Sequence, residues 1–146
     1  MQQTCREIMT KTPACIEPGA TVEQVALLMK QRNVGSVPVV ESLDTMVLVG
    51  IITDRDLAIK VIAERRDPGE ARVGEIMTAN PIVCAPEDEI QRALETMARQ
   101  QVRRLPVVEQ RRVIGIIAQA DIATRLNAPA DTATLVEQIS REWKDM

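Results

Sequence analysis

The stretch Gly50-Ile51-Ile52-Thr53-Asp54-Arg55-Asp56 returns 65 residues later as Gly115-Ile116-Ile117-Ala118-Gln119-Ala120-Asp121. Each copy ends a strand and opens a helix. The isoleucines anchor the strand in a core, and the glycine tolerates a close approach or an unusual torsion. Upstream, a shift of 68 places Ile8-Met9-Thr10 on Ile76-Met77-Thr78, Pro13 on Pro81, Pro18 on Pro86, Met29 on Met97 and Val34 on Val102. The same shift places Pro38-Val39-Val40-Glu41 on Pro106-Val107-Val108-Glu109. A three-residue deletion accounts for the change from 68 to 65, after which Asp56 meets Asp121 and Ala58 meets Ala123. Prolines, glycine and aspartate kept in one order twice over mark a tandem duplication.

Each copy has the same grammar. A Pro-bounded extended segment comes first, Ala14 to Glu17 and Ile82 to Ala85. A helix follows. In the first copy Thr21 is its N-cap, with Gln24 in the capping-box position. Val22, Val25, Ala26 and Met29 form its apolar stripe, and Ile90, Ala93, Leu94 and Met97 repeat it. Two β-branched runs then pair as hairpins: Val37 to Glu41 with Met46 to Ile52, and Leu105 to Glu109 with Val113 to Ile117. A second helix closes each copy, about Arg55 to Arg65 with Leu57, Ala58, Val61 and Ile62 inward, and about Ala120 to Asn127. This reading divides the chain into a first repeat at 1–66, a linker at 67–74 containing Pro68-Gly69, a second repeat at 75–128 and a helical tail at 129–146. The tail carries Leu135, Val136, Ile139 and Trp143 on one face.

The order of strands and helices implies an α/β (α+β) class, each repeat a small mixed sheet packed with two helices. A unit of about 60 residues buries little surface by itself. Two copies packed face to face with pseudo-twofold symmetry would bury both sheets and leave a cleft for a ligand.

Composition narrows the function. Among 146 residues there is no His, Tyr or Phe and one Trp, which excludes imidazole catalysis, Ser-His-Asp chemistry and His-bearing metal sites within this chain. Aromatic stacking of a nucleic-acid strand is excluded nearly as firmly. A net charge of −3 argues against general binding to nucleic acid or membrane surfaces. Cys5, Cys15 and Cys84 form no CxxC pair and read as reduced thiols of a cytoplasmic protein. No apolar run approaches the ~20 residues that span a bilayer, and MQQTCREIMT lacks the apolar stretch of a signal peptide.

The Gly50–Asp56 motif carries the chemistry. Thr53 sets a hydroxyl at the strand end, and Asp56 follows in the first helical turn. A carboxylate accepts from both hydroxyls of a vicinal diol; a hydroxyl and free backbone N–H groups suit a phosphate. Together they fit a ribose phosphate. The same residues also make an ordinary helix start, with Thr53 or Asp54 as N-cap and Asp56 as a first-turn acid. The second copy keeps Asp121 but has Ala118 for the hydroxyl, so two binding corners would be unequal.

The duplication, the Ile-Met-Thr openings, the Val-Pro-Val-Val and Leu-Pro-Val-Val strands and the G-h-h-T-x-x-D ending closely resemble a tandem pair of cystathionine-β-synthase (CBS) domains, over about residues 5–127. The resemblance implies two clefts that take adenosine-containing ligands (AMP, ADP, ATP or S-adenosylmethionine), dimerisation, and regulation of an attached or partner enzyme or transporter. Carried over, the first site comprises Thr53, Arg55, Asp56, Thr78, Pro81, Ile82, Val83, Arg103, Arg104 and Leu105. Asp56 would hold the ribose, Thr53 and the arginines the phosphates, and the aliphatic residues the adenine. The second site comprises Thr10, Ala14, Cys15, Ile16, Ser36, Val37, Ala118 and Asp121. It departs from the pattern at Ala118 and at Gly35-Ser36, which stand where the other copy has Arg103-Arg104.

The pair occupies nearly the whole chain and leaves no room for a catalytic domain. The expected function is therefore a stand-alone, non-enzymatic regulatory module with no catalytic cofactor or metal, passing a signal to another protein. The alternative is a structural or protein-interaction module with vestigial clefts. The helices bearing Leu57, Val61, Ile62, Met29 and Met97 are expected to supply apolar surface for a homodimer.

Overall fold

The computed structural model describes residues 3–125. In chain order the elements are α1 (Cys5–Ile8), β1 (Thr10–Lys11), α2 (Val22–Arg32), β2 (Ser36–Val40), β3 (Leu48–Thr53), α3 (Asp54–Asp56), a π-helix (Leu57–Ile62), α4 (Val73–Ile76), β4 (Thr78–Ala79), α5 (Ile90–Gln100), β5 (Arg104–Glu109), β6 (Arg112–Ala118) and α6 (Gln119–Arg125). They form a mixed α/β molecule with two three-stranded sheets, ordered β2–β3–β4 and β1–β6–β5.

The chain gathers into two compact units, and these exchange the openings of the two repeats. One unit holds Pro13–Pro81 with Gln110–Val113; the other combines, among the described residues, 3–12 with Ile82–Glu109 and 114–125. Thus β4, the opening of the second repeat, pairs antiparallel with β3 of the first, Gly50 opposite Ala79 and Ile51 opposite Thr78. In the same way β1 pairs with β6, Thr10 opposite Ile116 and Lys11 opposite Gly115. Parallel bridges from Ile16 to Val39 and from Cys84 to Val107 add the extended segments and make both sheets mixed.

Each unit has its own core. In the β2–β3–β4 unit α2 lays Val22, Val25 and Met29 against Val37, Val39 and Ile52. In the β1–β6–β5 unit α5 lays Ile90, Ala93, Leu94 and Met97 against Leu105, Val107, Ile117 and Ile122. Thr21 caps α2 as its sequence predicts, accepting from the Gln24 N–H while Gln24 accepts from the Thr21 N–H. The stretch 67–74 packs into the β2–β3–β4 unit: Ala71 and Val73 are buried, and Val22 N–H donates to Ala71 O at 2.9 Å.

The duplication is written in the backbone as well. Thr12 and Asn80 have φ of 48° and 51°, Asn33 and Gln101 have 55° and 57°, and Met46 and Arg111 have 61° and 70°. Left-handed residues without a glycine are uncommon, so three matched pairs show that one backbone path is traced twice.

The helix after Asp56 departs from expectation. It winds with i→i+5 bonds, Ala63 N–H to Ala58 O and Arg66 N–H to Val61 O, each at 2.9 Å. The wider turn rotates the faces away from the 3.6-residue pattern. Val61 points inward as its sequence predicts, but Ala58 is exposed and Ile62 is 74% exposed. Ala26 is likewise exposed, and Met29 and Met97 are core residues that offer no spare surface. The proposed tail helix with Trp143 lies outside the described residues.

Gly50 and Gly115 serve a close approach; neither has a positive φ. A Cβ at Gly50 would stand 2.9 Å from Thr78 O, and one at Gly115 would stand 3.0 Å from Thr10 O. Each would also strike a methionine of the arriving opening, Met77 or Met9. The backbone carbonyls cannot move without breaking the edge pairing. Gly50→Ala is therefore expected to destabilise the protein by about 1–3 kcal/mol, lowering the urea midpoint at unchanged slope. Gly19→Ala, with nothing within 4 Å of the added carbon, is the control. Equal midpoints for the two variants would refute the close-approach account.

Candidate functional site

The strand-to-helix corner of the β2–β3–β4 unit is built from β3, α3 and the start of β2. Ser36 stands opposite Thr53 in the ladder, Val37 opposite Ile52 and Thr78 opposite Ile51. Thr53 Oγ1 accepts from the Asp56 N–H at 3.1 Å, and Asp56 Oδ2 accepts from the Thr53 N–H at 3.0 Å. The capping role open in the sequence is thus realised by the same two residues proposed to bind. Asp56 Oδ1 also lies 3.2 Å from Lys60 Nζ, which donates to Ile76 O at 3.1 Å. The Asp56 side chain keeps 15% of its surface accessible, so a rim of the carboxylate faces outward with its orientation already set.

Lys60 is the residue that reading the motif alone overlooked. Its signal was present: a lysine four residues after an aspartate is the spacing of a helical ion pair. It brings a positive charge to the corner and ties the corner to α4, which leads into Thr78.

The matching corner of the β1–β6–β5 unit is open. A cavity of about 260 Å³ is lined by Ile8, Met9, Thr10, Asp121 and Thr124. Here Thr10 and Asp121, named together from the sequence, do converge. Ile8, Met9 and Thr124 were not named; the first two lie on the exchanged opening. Ala118 leaves Asp121 without the reciprocal cap that Thr53 gives Asp56, and the Asp121 carboxylate has no hydrogen bond or ion pair among the described residues.

Gly35 and Arg103 stand in different surroundings. Asp54 N–H donates to Gly35 O at 2.8 Å, and the Asp54 carboxylate covers Gly35 so closely that a Cβ there would meet Oδ2 at 2.6 Å. In the other unit Gln119 N–H donates to Arg103 O at 3.0 Å, and the Gln119 side chain is buried with Oε1 unpartnered among the described residues. Arg104 opens β5 with its side chain exposed, whereas Leu105 is buried.

The other residues named from the sequence divide between the units. Arg55, Thr78, Pro81, Ala14, Cys15 and Ile16 belong with the Thr53–Asp56 corner, while Ile82, Val83, Arg103, Arg104 and Leu105 belong with the Ala118–Asp121 corner. Ile82 and Val83 are large apolar residues with exposed side chains, and Ile16 is buried in the sheet beside Val39. Burial pushes the Cys15 thiol up to about 11, so it is protonated at neutral pH. No helix among the described residues is long and apolar enough to cross a membrane, and they contain no cluster of three or more His, Cys, Asp or Glu side chains placed to hold a metal ion.

Comparison with known proteins agrees with this architecture. The chain is 36% identical over 137 residues to the CBS domain-containing protein YhcV of Bacillus subtilis, covering 94% of this chain and 95% of that protein. It is 35% identical over 123 residues to Hypoxic response protein 1 of Mycobacterium tuberculosis, covering 84% and 85%. The crystal structure of Hypoxic Response Protein I, which contains two coordinated zinc ions, matches with a TM-score of 0.76, 34% identity and coverage of 84% and 98%. The CBS domain pair of protein MJ0100, solved with 5′-methylthioadenosine and S-adenosyl-L-methionine, matches with a TM-score of 0.76, 26% identity and coverage of 87% and 98%. The CBS domain model fits twice, at residues 5–62 and 73–128, the two copies that the duplication and the matched left-handed residues trace, and the chain belongs to the CBS domain family as a tandem pair.

Proposed function

We propose that the protein is a non-catalytic regulatory module that binds an adenosine-containing ligand and passes the signal to a partner protein. The observation that carries this reading is the cavity at the Ala118–Asp121 corner, lined by Thr10, by the apolar Ile8 and Met9, and by Asp121, whose carboxylate has no hydrogen bond or ion pair among the described residues. A carboxylate without a partner is suited to the two hydroxyls of a ribose, and the apolar wall to a nucleobase. The related MJ0100 pair, which takes two adenosine compounds, supports the same ligand class. At the other corner Lys60 and the Thr53 hydroxyl add groups suited to phosphate. The ligands expected there are AMP, ADP or ATP, and at the Asp121 corner a phosphate-free adenosine compound such as S-adenosylmethionine.

One observation favours the structural alternative: Thr53 and Asp56 already satisfy each other and Lys60. Calorimetry separates the two readings. Asp56→Asn keeps an acceptor for the Thr53 N–H while removing the charge, so it isolates binding from capping better than alanine does. A charge-assisted hydrogen bond contributes roughly 1.5–3 kcal/mol, so Asp56→Asn should weaken AMP at least ~10-fold. Asp121→Asn should weaken S-adenosylmethionine and leave AMP nearly unchanged. Lys60→Ala should weaken ATP and AMP more than adenosine, because its proposed partner is phosphate. Equal losses from both aspartate variants for every ligand would sink the unequal-corner model, and no binding of any adenosine compound by the unmutated protein would favour the structural module.

Self-association is the second part of the proposal. Leu27, Ile59 and Ile62 of the β2–β3–β4 unit are 50%, 46% and 74% exposed, an apolar surface suited to a second copy. Light scattering of the unmutated protein should give a dimer mass, and Ile62→Glu should shift it toward the monomer. A monomer mass for the unmutated protein at micromolar concentration excludes the dimer.

A further inference from the structure

Cys5 and Cys84 are distant in sequence and neighbours in the core of the β1–β6–β5 unit, 0% and 6% exposed. The backbone on both sides of the pair is pinned. Cys5 N–H donates to Asp88 O at 2.9 Å, Arg6 N–H to Pro86 O at 2.9 Å, and Thr4 bridges Glu89. Cys84 N–H donates to Pro106 O at 3.0 Å, and the Cys84 Sγ–H lies within reach of both Pro106 O and the Cys5 sulfur. Outside the core, the Arg6 guanidinium holds Glu87 at 3.0 Å and Glu109 at 2.7 Å. These contacts place two thiols side by side where α1 docks on the segment that leads into α5.

We propose that Cys5 and Cys84 form an oxidisable pair that a peroxide converts to an intramolecular disulfide, fastening α1 to the segment before α5. The two sulfurs are unequal. Hydrogen bonding from Cys84 holds the Cys5 thiol below its usual value, and the same contact with burial raises Cys84. Cys5 is therefore the nucleophile. Its thiolate attacks one oxygen of hydrogen peroxide, the O–O bond breaks, and hydroxide leaves; the sulfur is oxidised to a sulfenic acid. The Cys84 sulfur then displaces that hydroxyl, its proton goes with the leaving oxygen, and water and the Cys5–Cys84 bond are formed. Peroxide takes both electrons, and no further reactant is needed. Access comes from opening of α1, a helix of 4 residues and hence of low local stability.

The consequence reaches the cavity. Directly after α1 come Met9 and Thr10, and these with Ile8 form the wall facing Asp121. The disulfide holds that wall at its N-terminal end, so oxidation fixes a surface that is held by hydrogen bonds and surface ion pairs in the reduced protein.

The test is peptide mapping of the full-length protein after treatment with hydrogen peroxide and alkylation of the remaining thiols. The expected product is a single chain with a Cys5–Cys84 linked peptide pair and an alkylated Cys15, whose Sγ–H donates to Pro13 O and has no cysteine beside it. Oxidised protein should melt higher by about 5 °C or more, as one cross-link closing a long loop implies. In Cys84→Ser, which keeps a hydrogen-bond donor beside Cys5 but cannot close the disulfide, Cys5 should stop at a sulfenic acid that dimedone traps. Alkylation of both cysteines after oxidation, or a disulfide between two chains, overturns the pairing. Trapping at Cys15 rather than Cys5 overturns the assignment of the nucleophile, and an oxidised protein that melts no higher overturns the fastening.

Discussion

Both sheets depend on the backbone of one opening segment lying directly over a glycine of the other repeat. At Gly50 and Gly115 the arriving carbonyls of Thr78 and Thr10 occupy the space a Cβ would fill. That contact brings the third strand into each sheet and carries Met77 and Met9 into contact with the respective cores. A hairpin with one helix is marginal for a stable core. The borrowed strand and the single-turn helix before it, with buried Ile76 in one unit and Ile8 in the other, complete it. Since each repeat lends its opening to the other, neither compact unit is built from one repeat alone.

A duplicated backbone allows the side chains at the two corners to diverge. Thr53, Asp54 and Gly35 in one unit face Ala118, Gln119 and Arg103 at the same places in the other. The first set spends its polar atoms on a reciprocal cap, with the Asp54 carboxylate over Gly35. Among the described residues, the second set leaves an aspartate unpaired beside a cavity and a buried glutamine oxygen unpartnered. The helices that follow differ too, a π-helix after Asp56 and an α-helix after Ala118. π-helices are uncommon and frequent at functional positions, and this one sets Lys60 between the Asp56 carboxylate and the Ile76 carbonyl.

Capping and the proposed binding therefore draw on the same atoms. An aspartate held by a backbone N–H and a lysine is aimed in advance, which lowers the ordering cost of receiving a ligand and also supports the fold without one. A substitution that deletes the side chain perturbs both roles, whereas one that changes its charge perturbs mainly the second.

The sequence by itself determined the duplication, the strand and helix order, the Thr21 cap and the inward faces of α2 and α5. These are local matters of spacing and propensity, and the 68- and 65-residue shifts tie them together. It also named Thr10 with Asp121, because the family pattern joins a corner to an opening. Tertiary structure alone decided which opening completes which sheet, since a two-residue strand carries too little pattern to choose its partner. It decided that Ala58 and Ile62 face out, because i→i+5 winding is not encoded in a 3.6-residue stripe. It also decided that Cys5 meets Cys84: long-range proximity of two small apolar side chains leaves no local signal, and only the docking of α1 creates it.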